Sequence, residues 1–455
     1  MLKVKQNLIN NKTNSQTSFK SKEDVLFKTL DGGLKVADLF IKSQENLSST
    51  RFIQDTATNW APKAIFARSK EDFAEMSFLE FLESGIFYFA SPLLGEKLFR
   101  NKIFKNFHPK DIKEQVNVQI PKKLSEIVKN TEISPDIAKR AISSKAGIVL
   151  ACAAVPIAEY TLSFAKNLFT LKTFNKSNFN SIANLDKNNN ETEDKAQQEK
   201  VEKSSKKQLK KAAIMTAAGI AAGGALAFFG HKSDKLQKLS KGILEPGQAL
   251  ANGLEKLGLK NEKVKNTLGK FSLDFDGSYG KLALSKGQLA LTAILGLFGY
   301  SNAAKDRGKL DFYEVWTRVP LVVFYTIFGG ELFEKGFLKI LDKKNKFQDL
   351  IQKDSLGKIS IPSRQQLPEI AKTVSKKNGT QVADEFKKLV KQKTFATAVP
   401  YAFSLLFMGV SLSAITRLWT QFRYNQMKKE GSGEINNQTA INFQKLPKEF
   451  RAFQK

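Results

Sequence analysis

Glu159 is the residue whose type and place in this sequence could do chemistry most directly. It lies inside the run Ala146–Ala165, which carries no other formal charge, three residues after Pro156. A carboxylate at mid-bilayer costs about 2.5–3.5 kcal/mol unless it is paired or hydrated. Proline removes a backbone donor and loosens the turn before it, so carbonyls near Cys152 are expected to lose a partner. The carboxyl should therefore face the interior of a helix bundle and line a solute pathway. The competing reading is a shallower helix in which Glu159 reaches water, with Lys166 two turns away. Two further acids, Glu96 and Glu331, each follow a glycine at the end of a short apolar run. They form either a symmetric pair at a pathway mouth or, more plainly, charges kept wet at the interface beside Lys97 and Lys335.

Motifs for other chemistry are missing. The chain has no Walker loop, no nucleophile elbow, no zinc-protease helix and no dinucleotide fingerprint. One Cys, Cys152, and two distant His, His108 and His231, argue against a disulfide framework or a thiolate or imidazole metal cage. The stretch Asp274-Phe275-Asp276-Gly277-Ser278 starts like a calcium loop, lacks the rest of the ligand spacing, and reads as a turn. The expectation is a protein that is not an enzyme and needs neither metal nor cofactor.

The elements that would position these acids are long apolar helices. Ala212–Gly230, Gly287–Ala304 and Thr394–Thr416 are runs of 19, 18 and 23 residues without formal charge. A helix of roughly 20 apolar residues spans the hydrocarbon layer. Ala146–Ala165 has the length but holds Glu159, while Ser84–Gly95 and Val319–Gly330 are shorter. The fold class expected is an all-α, polytopic helical membrane protein with three to six membrane segments, six preferred. Gly219 with Gly223, and Gly299 with Ala303, are small-xxx-small pairs that let helix backbones approach closely.

The two halves also resemble each other. Arg68-Ser-Lys70-Glu-Asp72-Phe-Ala-Glu75 matches Arg307-Gly-Lys309-Leu-Asp311-Phe-Tyr-Glu314, and Ala154-Val155-Pro156 matches Ala398-Val399-Pro400. Weaker matches lie between them in the same order. This predicts a duplicated unit at 62–170 and 301–420, each copy holding two apolar helices and a basic loop. Pro156 and Pro400 would break the second helix of each copy, and Phe403 would stand where Glu159 does. Around the copies lie a polar tail at 1–61, a disordered Asn/Lys/Glu linker at 171–211, a central helix pair at 212–304 and a polar tail at 421–455. A parallel repeat follows if all six segments cross, an inverted one if the short pair is re-entrant.

The formal charge is +29, from 73 Lys and Arg against 44 Asp and Glu. Lysine is spread over all the loops, and no zinc finger, helix-turn-helix or RNP motif accompanies it, which argues against nucleic acid. Apolar stripes flanked by Lys, at Ile133/Ile137/Ala141, Leu236/Leu239/Ile243 and Val382/Phe386/Leu389/Val390, fit anionic headgroups and loop packing equally well. The bilayer is thus the expected partner, with room for a homo-oligomer. The start of the chain shows no cleavable signal peptide, and the location expected is the cytoplasmic membrane. The function expected is a non-enzymatic membrane scaffold or organising protein. The alternative is a small-solute or ion transporter or channel with its site between the repeats.

Overall fold

The computed structural model describes residues 26–45, 49–90, 123–129, 134–185, 194–258, 261–275, 286–353, 357 and 359–429. The helices are α1 (Gly32–Glu45), α2 (Ser49–Ile65), α3 (Lys70–Gly85), α4 (Leu124–Lys129), α5 (Pro135–Cys152) and α6 (Ala154–Phe174). Then come α7 (Phe179–Ile182), α8 (Lys195–Phe229), α9 (Asp234–Leu244), α10 (Pro246–Lys256), α11 (Glu262–Leu268) and α12 (Lys286–Lys305). The last are α13 (Lys309–Phe324), α14 (Gly330–Lys343), α15 (Leu367–Asn378), α16 (Val382–Ser404) and α17 (Leu412–Lys429). Three π-helical segments, Ile86–Ala90, Tyr325–Gly329 and Leu405–Ser411, continue α3, α13 and α16 without a break. Among the described residues the one sheet is an antiparallel pair of two-residue strands, β1 (Gln352–Lys353) and β2 (Ile359–Ser360).

The helical expectation holds. Among the described residues three helices are long and apolar enough to cross a membrane: Pro135–Phe174, Lys195–Lys232 and Val382–Lys428. Two of them contain the expected runs Ala212–Gly230 and Thr394–Thr416. The run Gly287–Ala304 coincides with α12 but does not qualify, because Gln288, Thr292, Tyr300, Ser301 and Asn302 make it too polar. Its place is taken by the run that carries Glu159.

The chain divides into two compact units. The first comprises Met1–Glu45 and Phe333–Tyr401. Its core gathers Ile41 of α1, Leu367 and Ala371 of α15, and Phe386, Leu389 and Val390 of α16. The apolar stripe on α16, for which a membrane surface and loop packing stood level, is therefore packing. Arg364 fastens this unit through both oxygens of Asp38 (2.6 and 2.7 Å) and lies 3.7 Å over the Phe27 ring.

The second unit comprises Asn46–Leu332 and Ala402–Lys455. One close crossing is α5 on α8. A Cβ placed on Gly147 would stand 2.4 Å from the Gly223 carbonyl oxygen, and one on Gly223 would stand 2.6 Å from that of Gly147. Gly219 is looser, 3.5 Å from the Leu150 carbonyl. In α12, a Cβ on Gly299 would sit 2.1 Å from the Tyr160 carbonyl, and Ala303 is buried one turn on. At Gly223 and Gly299 a larger side chain would force the backbones apart, whereas Gly219 has room for one.

Two expectations need correction here. The linker at 171–211 was expected to be disordered, yet 175–185 include α7 and 195–211 form the first half of α8. Asp194 caps that helix through the Ala196 amide, Glu202 pairs with Lys206 one turn on, and Gln197, Val201 and Ser205 recur at four-residue spacing as its buried face. Lys, Glu, Gln and Ala are good helix formers, so a composition poor in apolar residues still builds a helix once one face has a bundle to lie on. The other correction concerns the stripe of α5 and α9. Ile137, Ala141, Leu236 and Ile243 pack into the core, Leu239 is exposed, and Ile133 lies outside the described residues.

Candidate functional site

The two similar sequence stretches, Arg68–Glu75 and Arg307–Glu314, meet at one place in the second unit. Arg68 just precedes α3 and Arg307 just precedes α13. Each guanidinium reaches a carboxylate on its own helix and one on the other. Arg68 lies 3.1 Å from Asp72 and forms a two-pronged pair with Glu314, at 2.8 and 3.1 Å. Arg307 stands 3.3 Å from Asp311 and donates twice to Glu75, at 3.1 Å. The threonines answer in the same way. Thr170 of α6 donates to Glu75 (2.5 Å), and Thr420 of α17 donates to Glu314 (2.7 Å).

Arg417 adds a 2.5 Å bond to Asp72, and Lys166 lies 3.6 Å from Glu75. Asn167 accepts from Arg307 (3.0 Å) and donates to the Ala303 carbonyl (3.1 Å), tying α6 to α12. The Phe179 ring of α7 lies between the two arginines, 5.2 Å from the Arg68 guanidinium and 5.8 Å from that of Arg307. Four cations, Arg68, Lys166, Arg307 and Arg417, thus meet four anions, Asp72, Glu75, Asp311 and Glu314. Arg307 is 1 % exposed. Such burial is tolerable because the charges balance and both terminal nitrogens of Arg307 are hydrogen-bonded.

Electrostatics here fix a pH dependence. Burial alone would raise the Asp72 carboxyl, but Arg68 and Arg417 outweigh it and hold it down at about 2. The folded value lies below the ordinary 3.8, so this contribution is complete above 3.8 and disappears as pH falls towards 2. The near-ultraviolet circular dichroism of the folded chain is therefore expected to stay constant on acidification to 3.8 and to decay between there and about 2. Loss of that signal well above 3.8 would mean that the lattice does not govern acid stability.

A buried polar row leads away from this lattice along α6. Thr170, Asn167, Ser163 and Glu159 recur at helical spacing, so they share one face. The first two are bonded into the lattice. Ser163 Oγ and Glu159 Oε2 are buried without a hydrogen-bond partner. Glu159 lies against α12 where Gly296 leaves room: a Cβ there would meet Glu159 Cγ at 3.1 Å. Glu80 and Glu83 of α3 are its electrostatic neighbours, and Glu80 is paired with Lys63 of α2. Tyr300 of α12 senses all three acids.

Glu159 is therefore buried among the helices of the second unit, 6 % exposed. The break attributed to Pro156 is also present, at Ala153 between α5 and α6. Pro400 differs: it sits inside α16, and the irregularity is the π-helical segment that begins at Leu405. Glu96 lies outside the described residues, and Glu331 lies in the first turn of α14. Sequence reasoning missed Ser163, Glu80 and Glu83. Their signal was present in the four-residue step from Glu159 to Ser163 and in five acids crowded into the 16 residues of α3. Among the described residues no cluster of His, Cys, Asp and Glu has the geometry to hold a metal ion. Compared with known protein families, curated proteins and solved structures, the chain matches none.

Proposed function

We propose that this chain is an integral protein of the cytoplasmic membrane that carries a small solute or ion across it, with its site between two related halves. One observation carries the reading: the Glu159 carboxyl is buried, with an unbonded oxygen, in a helix apolar enough to span a bilayer. A scaffold that only organises the membrane gains nothing from a charge at that depth, and its cost would be removed by almost any apolar substitution. Irregular turns where a pathway would run fit the same reading.

Correspondence between the halves supports the duplication. Helices α3 and α13 have the same length, 16 residues, and both pass directly into a five-residue π-helical segment. Each supplies the arginine for the other's glutamate. Both begin at the ionic lattice; α6 reaches it near its C-terminus, and the helix that continues from the π-helical segment Leu405–Ser411 reaches it at Arg417 and Thr420, so equivalent helices share one polarity. That favours the parallel repeat, with a pseudo-two-fold axis along the membrane normal. The chain would leave the lattice along α3, return along α5 and α6, leave along α8, return along α12, leave along α13 and return along the apolar run Thr394–Thr416, which leads into α17. Six crossings follow. At the far end Lys238 and Lys241 stand beside Ile127, Val128 and Ile142 in an open groove, a surface suited to anionic headgroups.

Cysteine accessibility tests the reading. On a Cys152→Ser background, in membranes that retain the chain after alkaline carbonate washing, Glu159→Cys should react with a small aqueous thiol reagent at a rate well below that of Lys203→Cys on the exposed face of α8. It should still react, because a pathway admits water. Complete protection would leave the scaffold as the better account.

A further inference from the structure

We propose that Glu159 is a proton-binding group, which takes one proton from water and returns it as the pathway opens to one side or the other. This deepens the transporter reading and rests on it. No other bond changes: the carboxylate and a hydronium ion give the carboxylic acid and water, and the reverse step restores them.

Geometry selects the proton over a metal cation. A bound cation needs several converging oxygens, and the described residues hold no such cluster of acids. What surrounds Glu159 is suited to a carboxyl that is neutral for part of a cycle. Its Oε2 is buried and unbonded, and the Ser163 hydroxyl, 1 % exposed and also unbonded, lies one turn along the same face. A hydroxyl can both accept and donate, so it serves either protonation state. The charged groups that act on Glu159 are Glu83 and Glu80, both on α3. Tyr300 faces it from α12. Lys63 of α2 and Arg318 of α13 act on Glu83 rather than on Glu159. Glu80 has Lys63, and Glu83 has Lys63 and Arg318, whereas among the described residues no cation acts on Glu159, so a proton is the partner its carboxyl can take. The polar row Ser163, Asn167 and Thr170 ends at Glu75, which gives Glu159 a hydrophilic connection to one end of the bundle.

The test reads the proton itself. Full-length protein in phosphatidylcholine vesicles is titrated between alkaline and acid buffer by infrared difference spectroscopy. A carbonyl stretch from a buried carboxylic acid should appear on acidification, vanish in Glu159→Gln, and move in frequency without vanishing in Glu159→Asp. Removing a neighbour with Glu83→Gln should change the midpoint of that titration while leaving the band in place. A band that persists in Glu159→Gln, or one that never appears in the parent protein, overturns the proposal. Aqueous labelling of Glu159→Cys is read separately. Labelling without the band ends the proton assignment and keeps the transporter, whereas the band without labelling keeps the assignment and ends the pathway.

Discussion

Reversing one charge in the lattice, Arg68→Glu, is expected to cost at least the 3–5 kcal/mol or so that stranding a buried ion incurs. The new carboxylate would face Glu314, which loses its two-pronged partner, and would crowd Asp72, which would keep only Arg417. At that cost most of a typical folding free energy is gone. The informative result is the second substitution. Arg68→Glu with Glu314→Arg rebuilds an arginine–glutamate pair across the same gap and should recover a large part of the loss. The recovery will be incomplete, because Asp72 then sits beside a carboxylate. The matching exchange, Glu75→Arg with Arg307→Glu, should behave alike, since the two pairs occupy equivalent positions. Thermal unfolding in mild detergent, followed for both single variants and the double, measures the coupling. Independent, additive losses would mean that the crossed pairs do not hold the helices together. Single losses below about 1 kcal/mol would mean that the lattice behaves like solvated surface charge.

The two stretches behind this lattice were legible as similar sequences and illegible as a contact. Spacing alone says that Arg68 and Asp72 share a helix turn; it does not say that Arg68 would bond Glu314, 246 residues away. The same limit applies at Lys145 in α5, where the run Ala146–Ala165 begins. Lys145 looked like the end of an apolar run, and the helix continues past it because Lys145 is wholly buried against Asp274 (2.7 Å) and the Phe275 carbonyl (2.7 Å). A charge marks a helix boundary only when nothing distant neutralises it. Packing residues fared better, since Gly223 and Gly299 act through their lack of a side chain, a property written in the residue itself. The π-helical segments left no trace in composition. They depend on how the backbone of α3, α13 and α16 accommodates its neighbours. The first half of α8 was misread for the opposite reason: its composition is that of a disordered chain, and the neighbouring bundle, not the local sequence, gives its buried face something to pack on.

Replacing Glu159 with leucine separates stability from activity, and the two are expected to move in opposite directions. Leucine is somewhat bulkier than glutamate but needs no hydrogen-bond partner, and Gly296 sets no side chain against it. An unpaired carboxyl at this depth costs about 2.5–3.5 kcal/mol, and the substitution removes that cost together with repulsion from Glu80 and Glu83. Glu159→Leu should therefore unfold at a higher temperature than the parent. If Glu159 is the proton-binding group, the same variant should lose proton flux altogether: in vesicles with a trapped pH-sensitive dye, the response to an imposed pH gradient should fall to that of empty vesicles. Glu159→Gln should lose flux as well with a smaller gain in stability, because its amide still needs hydrogen-bond partners that the site does not offer. Stabilities above the parent combined with undiminished flux would remove Glu159 from the pathway while leaving its burial unexplained by transport. A leucine variant less stable than the parent would show that the carboxyl is held by its surroundings, and its burial would then be a matter of architecture. Only higher stability and lost flux in one molecule place the cost of the charge in the service of transport, since a charge that destabilises the fold and does nothing else has no reason to be there.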